Sequence, residues 1–381
     1  MKEILIITGS DKNSGPNKQL NNLLVTLSKN KKLKITLFIC KSIIEKEKSI
    51  SENLNSIKSI KIVRGDKSNS KILKRSLSNL RFLKELILTN KYQFIQTSGF
   101  LPDFFIYIIR LFSNTKFIWI TFVRSQIITE YKIRYKPLIF GNLLAFFHKQ
   151  IINSSEIVIC VSKSVANQMV SKKNQFKVFH NSLSLNDEKE IKLIKDFLIK
   201  KEGHLKKNFY DFIFVGHYDY LKNPKEIIDF WIRKNFKKGR LTLYGRKNNK
   251  KYYNEMSTMS KLSKEITIND FEENIIHKFI YSDVYISASR TEGCPNTLIE
   301  ALCSGCICLL SDIPPHREFK DLFPNYIYLF KLNSYLSFEK GFKKVLEIIP
   351  EKSKWDIMQN SIKFFSSRNL EKSYLNLLNS L

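Results

Sequence analysis

The chain has 381 residues, 43% of them hydrophobic and 13% aromatic, which supplies enough apolar area for two domain cores and excludes intrinsic disorder. Lys and Arg number 64 against 35 Asp and Glu, a net charge of +29 that calls for an anionic partner or surface. The excess is uneven: residues 1–185 hold 31 basic and 10 acidic residues, a net +21, whereas 186–381 hold 33 and 25, a net +8.

The opening MKEILIITGS has too short an apolar run for a signal-peptide core and reads as a first strand. Apolar, largely β-branched runs follow at EILIIT (3–8), KITLFI (34–39), IKIVR (60–64), QFIQT (93–97), FIWITF (117–122) and EIVICVS (156–162). Such runs mark buried parallel strands. Helical patterns fall between them at 17–30, 70–90, 103–112, 138–152 and 163–171, so a doubly wound α/β domain is expected over 1–185. Lysine-rich stretches, KNKKLK (29–34) and YKIRYK (131–136), are placed on its helix faces and loops. The most apolar region, 100–123, is broken by Asp103, Arg110, Asn114 and Lys116, so no membrane span is expected.

A Lys- and Glu-rich segment, 186–208, reads as an interdomain connection. A second alternation then runs through strand 211–216, helix 223–236, strand 240–245, helix 249–260, strand 265–268 and helix 272–280. Strand 283–289, helix 296–303 and strand 306–311 complete its centre, within a second domain expected over 209–360, and 334–381 reads as helices. Ligands of such sheets bind beyond the carboxyl ends of the strands. The loops at 9–16, 122–130, 216–222, 245–248, 269–271 and 289–296 are therefore the expected edges of a cleft between the domains. Four of the six cysteines crowd into 294–308, which is not a secreted disulfide framework and points to the cytosol. Cys303 and Cys306 form a C-x2-C with no second ligand pair, so buried thiols are favoured over a metal site.

The segment SRTEGCPNTLIEALCSG (289–305) carries the strongest chemical signal. It sets a strand end, an acidic residue on a glycine turn, then Pro295 and a helix start. Amides near Asn296, Thr297 and Leu298 at that helix N-terminus suit a diphosphate. Glu300, in the helix, suits vicinal ribose hydroxyls, and Glu292, on the loop, suits hydroxyls of a sugar, each carboxylate accepting two O–H donors.

In this arrangement the chain resembles the family 4 (group 1) glycosyltransferases of the GT-B fold, whose Glu-x7-Glu element is matched at Ser289, Glu292, Gly293, Pro295, Glu300, Ala301 and Gly305. FIFVGHYDYLKNPKEIIDFW (212–231) is similar to the family's glycine turn and diphosphate-binding lysine, which here is Lys222; the family's arginine after Gly216 is replaced by His217. VICVSKSVANQM and FKVFHNS (158–182) resemble the end of the family's first domain, and SDIPPHREF (311–319) its later element, at Ser311, Asp312 and Glu318. In the first domain Gly15 stands where the family has a Gly-Gly loop, and Arg124 where it often has a histidine.

The resemblance implies a GT-B fold, two Rossmann-like doubly wound domains facing each other across a cleft, with helix 361–381 crossing back to the first domain. It further implies a retaining, metal-independent glycosyltransferase with no cofactor, moving a sugar from a nucleoside diphosphate sugar to an acceptor. Glu292, Lys222 and Arg124 are its expected catalytic residues. Gly15, Gly216, His217, Lys222, Glu292, Gly293, Cys294, Pro295, Asn296, Thr297, Leu298 and Glu300 are the expected donor contacts. The basic first domain is then expected to hold a lipid-linked saccharide against an anionic inner membrane surface, the protein being cytoplasmic and peripheral. The pathway expected is bacterial surface-polysaccharide assembly. Two alternatives stand beside this reading, a nucleotide-sugar epimerase of the same fold and a basic nucleic-acid-binding protein. No RNA or DNA module is recognisable, so nucleic acid is not an expected partner. No G-x-G-x-x-G follows the first strand, which disfavours nicotinamide, and no P-loop is present. His148 and His180 are assigned structural roles.

Overall fold

A computed structural model describes residues 1–12, 14–41, 54–65, 72–169, 175–184, 191, 209–349 and 353–381. It divides into two compact units, one of 1–180 with 367–381 and the other of 181–366. The connection expected over 186–208 lies, apart from Ile191, outside the described residues.

In the first unit the chain runs β1 (Lys2–Thr8), α1 (Gly15–Leu27), β2 (Leu33–Ile39), β3 (Ile60–Arg64), α2 (Ile72–Thr89), β4 (Phe94–Ser98) and α3 (Phe100–Leu111). It continues through β5 (Ile118–Val123), α4 (Ile127–Arg134), α5 (Leu138–Ile152), β6 (Ile157–Cys160), α6 (Lys163–Met169) and β7 (Gln175–Val178). The strands pair in the order β3-β2-β1-β4-β5-β6-β7, all parallel, with Ile4 opposite both Ile35 and Phe94. Helices cover such a sheet on both faces, which is why its strands read as unbroken apolar runs rather than alternations. Leu5, Ile7, Phe38, Ile95, Phe105 and Trp119 lie in its core. Helix α14 (Ser367–Asn379) also belongs here. It buries Tyr374, Leu377 and Leu378, packs on α1, and its Tyr374 hydroxyl donates to the buried Gln96 side chain.

The second unit runs β8 (Tyr210–Val215), α7 (Pro224–Lys234), β9 (Gly239–Gly245), α8 (Lys250–Ser260), β10 (Ile266–Asp270), α9 (Ile276–Tyr281) and β11 (Val284–Ser287). After these come α10 (Asn296–Cys303), β12 (Ile307–Ser311), α11 (Pro314–Leu322), β13 (Ile327–Phe330), α12 (Tyr335–Ile348) and α13 (Lys354–Phe365). Its sheet, also wholly parallel, has the order β10-β9-β8-β11-β12-β13. An aromatic cluster fills one side: Trp231 packs edge-on to Phe212, Phe236 and Phe342, while Phe212 and Phe342 stack at 5.1 Å.

Several expectations need correction. Residues 127–134, expected partly as loop, form α4, because the end of β5 at Val123 leaves room for a two-turn helix before Pro137. The helix expected at 272–280 begins only at Ile276, after the polar Glu272, Glu273 and Asn274. Residues 175–178, 314–322 and 327–330, assigned no element, form the edge strand β7 beside β6, helix α11 and the edge strand β13 beside β12.

In each sheet the winding reverses once, between β1 and β4 in the first and between β8 and β11 in the second. Loops leaving two such strands diverge and open a crevice at the carboxyl edge. In the second unit Gly245, at the end of β9, lies so close to the loop after β8 that an added Cβ would press on the Gly216 carbonyl and the Tyr218 ring. Gly245→Ala is therefore expected to cost about 2 kcal/mol by overpacking, lowering Tm by about 4–8 °C in thermal unfolding.

Candidate active site

Two loops meet where the second sheet reverses. The loop after β8 turns at Gly216, where a Cβ would touch the Phe214 ring and the Lys222 side chain. Asp219 Oδ1 then accepts from the backbone N–H groups of Leu221 and Lys222, at 3.0 and 2.9 Å. This turn fixes the direction in which Lys222 leaves the backbone. Asn223 ends it with φ 53°, a left-handed conformation that asparagine tolerates, before Pro224 opens α7. The loop after β11 is tied to the first by the Arg290 N–H, which donates to the Leu221 carbonyl at 2.8 Å.

Across this junction Lys222 Nζ donates to Glu292 Oε1 at 2.5 Å. Burial pushes the Glu292 carboxyl up, but the charge and hydrogen bond of Lys222, with smaller help from His316 and Ser289, hold it below the usual carboxylate value. The loop beneath is anchored by the Ser311 hydroxyl, which donates to the Ser289 carbonyl at 2.6 Å. His316 Nδ1 lies 2.8 Å from the Ser311 carbonyl, which assigns the proton to Nδ1. Its ring is fully buried, and burial pushes its pKa below the usual histidine value despite the opposing field of Glu292.

Just beyond Glu292, helix α10 starts at Asn296, with Pro295 at its N-cap position making no side-chain capping bond. The approach is pinned by Asn181, whose amide donates to the Cys294 carbonyl and to Asn296 Oδ1, both at 2.8 Å. Thr297 Oγ1 pairs with the Tyr285 hydroxyl at 2.8 Å. Glu300 is buried within α10 instead of lying on a solvated face. Burial pushes the Cys294 thiol up, as expected of an unreactive packing cysteine. Cys303 and Cys306 are buried too, and the Cys306 thiol donates to the Phe279 carbonyl.

His217, which stands where an arginine was expected, is held neutral: burial lowers its pKa, Asp219 opposes, and the positive charges of Lys222 and Arg246 add to the lowering. Arg246, at the end of β9, stacks over the exposed Phe271 ring at 4.1 Å. Neither Arg246 nor His316 was singled out from the sequence. Arg246 lies in a loop expected at the carboxyl edge, whereas nothing around His316 announced that the Pro314-Pro315 helix start would turn its ring inward.

The second unit thus gathers Gly216, His217, Lys222, Glu292, Gly293 and the start of α10 on one sheet edge. Gly15 and Arg124 belong to the first unit, at the edge of its own sheet. Gly15 opens α1, ahead of Pro16, and Asn17 fastens the preceding loop through the Ser10 and Lys12 carbonyls. Arg124 follows β5, donates through Nε to Ser98 at 3.1 Å, and lies over the Phe122 ring. Burial pushes its pKa down to about 10, and its Nη2 is buried with no hydrogen-bond partner among the described residues. His148 is structural in its bonding, held between Asp103 and Tyr131 at 2.9 Å each.

Residues 195–360 match the model of the family described as Glycosyl transferases group 1. No curated protein matches the chain in sequence. Among solved structures it is similar to a sucrose-phosphate synthase from Thermosynechococcus elongatus, with TM-score 0.76 and 14% identity over the whole of both chains. It is also similar to the lipopolysaccharide outer core galactosyltransferase WaaB, with TM-score 0.73 and 17% identity over 99% of each chain. HepE of Anabaena in complex with UDP-glucose gives TM-score 0.73 and 14% identity over all of both chains. The fold is GT-B. The matched segment contains Lys222, Glu292 and Glu300.

Both site histidines, His316 buried and His217 half-buried, have lowered pKa values, so each stays neutral in the folded chain at pH values where the unfolded chain takes up a proton, below about 6.5. Their contribution to stability is complete above that value and is lost as pH falls below it. Tm followed from pH 8 to pH 5 is expected to decline below about 6.5, and less steeply in a His316→Asn variant, with the residual slope carried by His217.

Proposed function

We propose that the protein is a family 4 retaining glycosyltransferase, independent of metal ions, that moves a sugar from a UDP or GDP carrier to a lipid-linked saccharide during assembly of a bacterial surface polysaccharide. The observation that carries this reading is the Lys222–Glu292 pair at the reversal point of the second sheet, beside the start of α10. A nucleoside diphosphate sugar offers what each group needs. Its diphosphate takes the Lys222 ammonium and the α10 amides, where the helix end favours negative charge. Its sugar hydroxyls donate to Glu292 once Lys222 turns to phosphate, and its ribose hydroxyls donate to Glu300. Arg246, whose charge already reaches His217, is the second cation for the diphosphate in place of the missing arginine.

In the transfer the bond between the anomeric carbon and the diphosphate oxygen breaks, and the acceptor hydroxyl oxygen bonds to the same face of that carbon. The hydroxyl proton passes to the departing phosphate oxygen. Lys222 and the helix amides stabilise the charge that grows on that oxygen, an electrostatic contribution that acts only as the bond lengthens. Arg124, with a buried and unpartnered Nη2, is assigned to an anionic group of a substrate. HepE carries UDP-glucose and WaaB is a lipopolysaccharide galactosyltransferase; both support the donor class and the pathway assigned here.

Thermal unfolding with UDP, GDP, ADP and CMP tests the donor site. One nucleotide is expected to stabilise the wild type by about 2.7 kcal/mol at a hundredfold excess over Kd, and Glu300→Ala is expected to reduce that shift. Sugar transfer is expected to persist in excess EDTA. A folded wild type that responds to none of the nucleotides contradicts the reading.

A further inference from the structure

Helix α5 is amphipathic in an inverted sense. Gly141, Ala145, His148, Ile151 and Ile152 are buried. Ile139, Phe140, Leu143, Phe146 and Phe147 point the other way, each between 50% and 79% exposed. At 100° per residue these five fall within about 120° of the helix circumference, a continuous apolar stripe. Soluble proteins rarely leave that much contiguous apolar surface uncovered.

The stripe is held outward by firm bonding on the opposite face. His148 is fixed by Asp103 of α3 and by Tyr131 of α4, and Gly141 allows the helix to approach so closely that a Cβ there would press on the Tyr131 carbonyl. The exposed rings therefore do not turn inward to complete the core. Basic residues lead into the stripe: Lys132 and Lys136 are exposed just before it, within the residues 1–185 that carry the net +21.

We infer that this face of α5 is a docking surface for an anionic lipid bilayer, with the five apolar side chains entering the acyl boundary and Lys132 and Lys136 meeting the headgroups. At 15 residues α5 is too short to cross a membrane, and no helix among the described residues is long and apolar enough to do so. A short helix with a large apolar stripe and cationic flanks lies in the interface plane. A second copy of the chain is disfavoured as the occupant, because it would bring a surface of the same positive sign against the first. The inference does not rest on the donor site, since its residues and its measurement are separate.

The test is co-sedimentation of the full chain with vesicles of phosphatidylcholine alone and of equal parts phosphatidylcholine and phosphatidylglycerol. The wild type is expected to bind the anionic vesicles. A Leu143→Ser/Phe146→Ser variant is expected to bind them about tenfold more weakly or worse at any salt. A Lys132→Gln/Lys136→Gln variant is expected to lose about fivefold per charge at low salt, with the difference from wild type closing at high salt. Melting temperatures measured on the same samples show whether each variant folds, and if the apolar variant does not, the charge variant decides. UDP stabilisation measured alongside separates a failure of docking from a failure of the donor site. A wild type that ignores anionic vesicles overturns the inference, as does unchanged binding by a folded apolar variant. A wild-type dimer that the apolar substitutions convert to monomers, with vesicle binding unaltered, assigns the face to a second copy and also overturns it.

Discussion

One ion pair organises the second unit's site. Lys222 and Glu292 come from loops that leave adjacent strands in opposite directions, and their contact closes the gap at the reversal of the sheet. Taking both charges out of water costs several kcal/mol per ion, so such a pair persists only where geometry and further hydrogen bonds compensate. Here the Asp219 turn orients the lysine, Ser289 and His316 favour the ionised carboxylate, and the Arg290 to Leu221 backbone bond ties the loops together. Because each ion is satisfied mainly by the other, an incoming anion for Lys222 and incoming hydroxyls for Glu292 replace one contact with two. That exchange suits a ligand carrying both phosphate and sugar.

The parallel sheet supplies the rest. Its strands point their carboxyl ends to one edge, so Gly216, Arg246, Glu292 and the approach to α10 converge although they are far apart in the chain. Strand order, not sequence proximity, selects which loops meet: β8 and β11 are neighbours in the sheet with some seventy residues between Lys222 and Glu292. The positive end of α10 adds a fixed field that favours an anionic group placed there.

Much of this was legible in the sequence because buried parallel strands carry a strong apolar signal, and because Pro295 after a glycine turn marks a helix start. Helix α10 begins and ends where the sequence places it. Edge strands β7 and β13 were missed because QFKV and IYLF are only four residues long, too short for a clear period-2 or continuous apolar signal. Helix α4 was missed because IITEYKIR has little one-sided apolar character, its stability coming from packing on α5. At the site, Lys222 and Glu292 were readable from motif spacing. His316 was not, since its burial follows from tertiary packing around Ser311, and Arg246 was hidden because a single cation at a strand end is commonplace.

The most direct test of the central claim, that the β8 and β11 loops form the donor site around Lys222 and Glu292, is amide hydrogen exchange with and without UDP-glucose or GDP-mannose. Protection confined to 216–223, 246–248 and 290–298, and abolished by Lys222→Ala, is the expected result. Donor-dependent protection that spares these loops, or that survives loss of Lys222 unchanged, contradicts it.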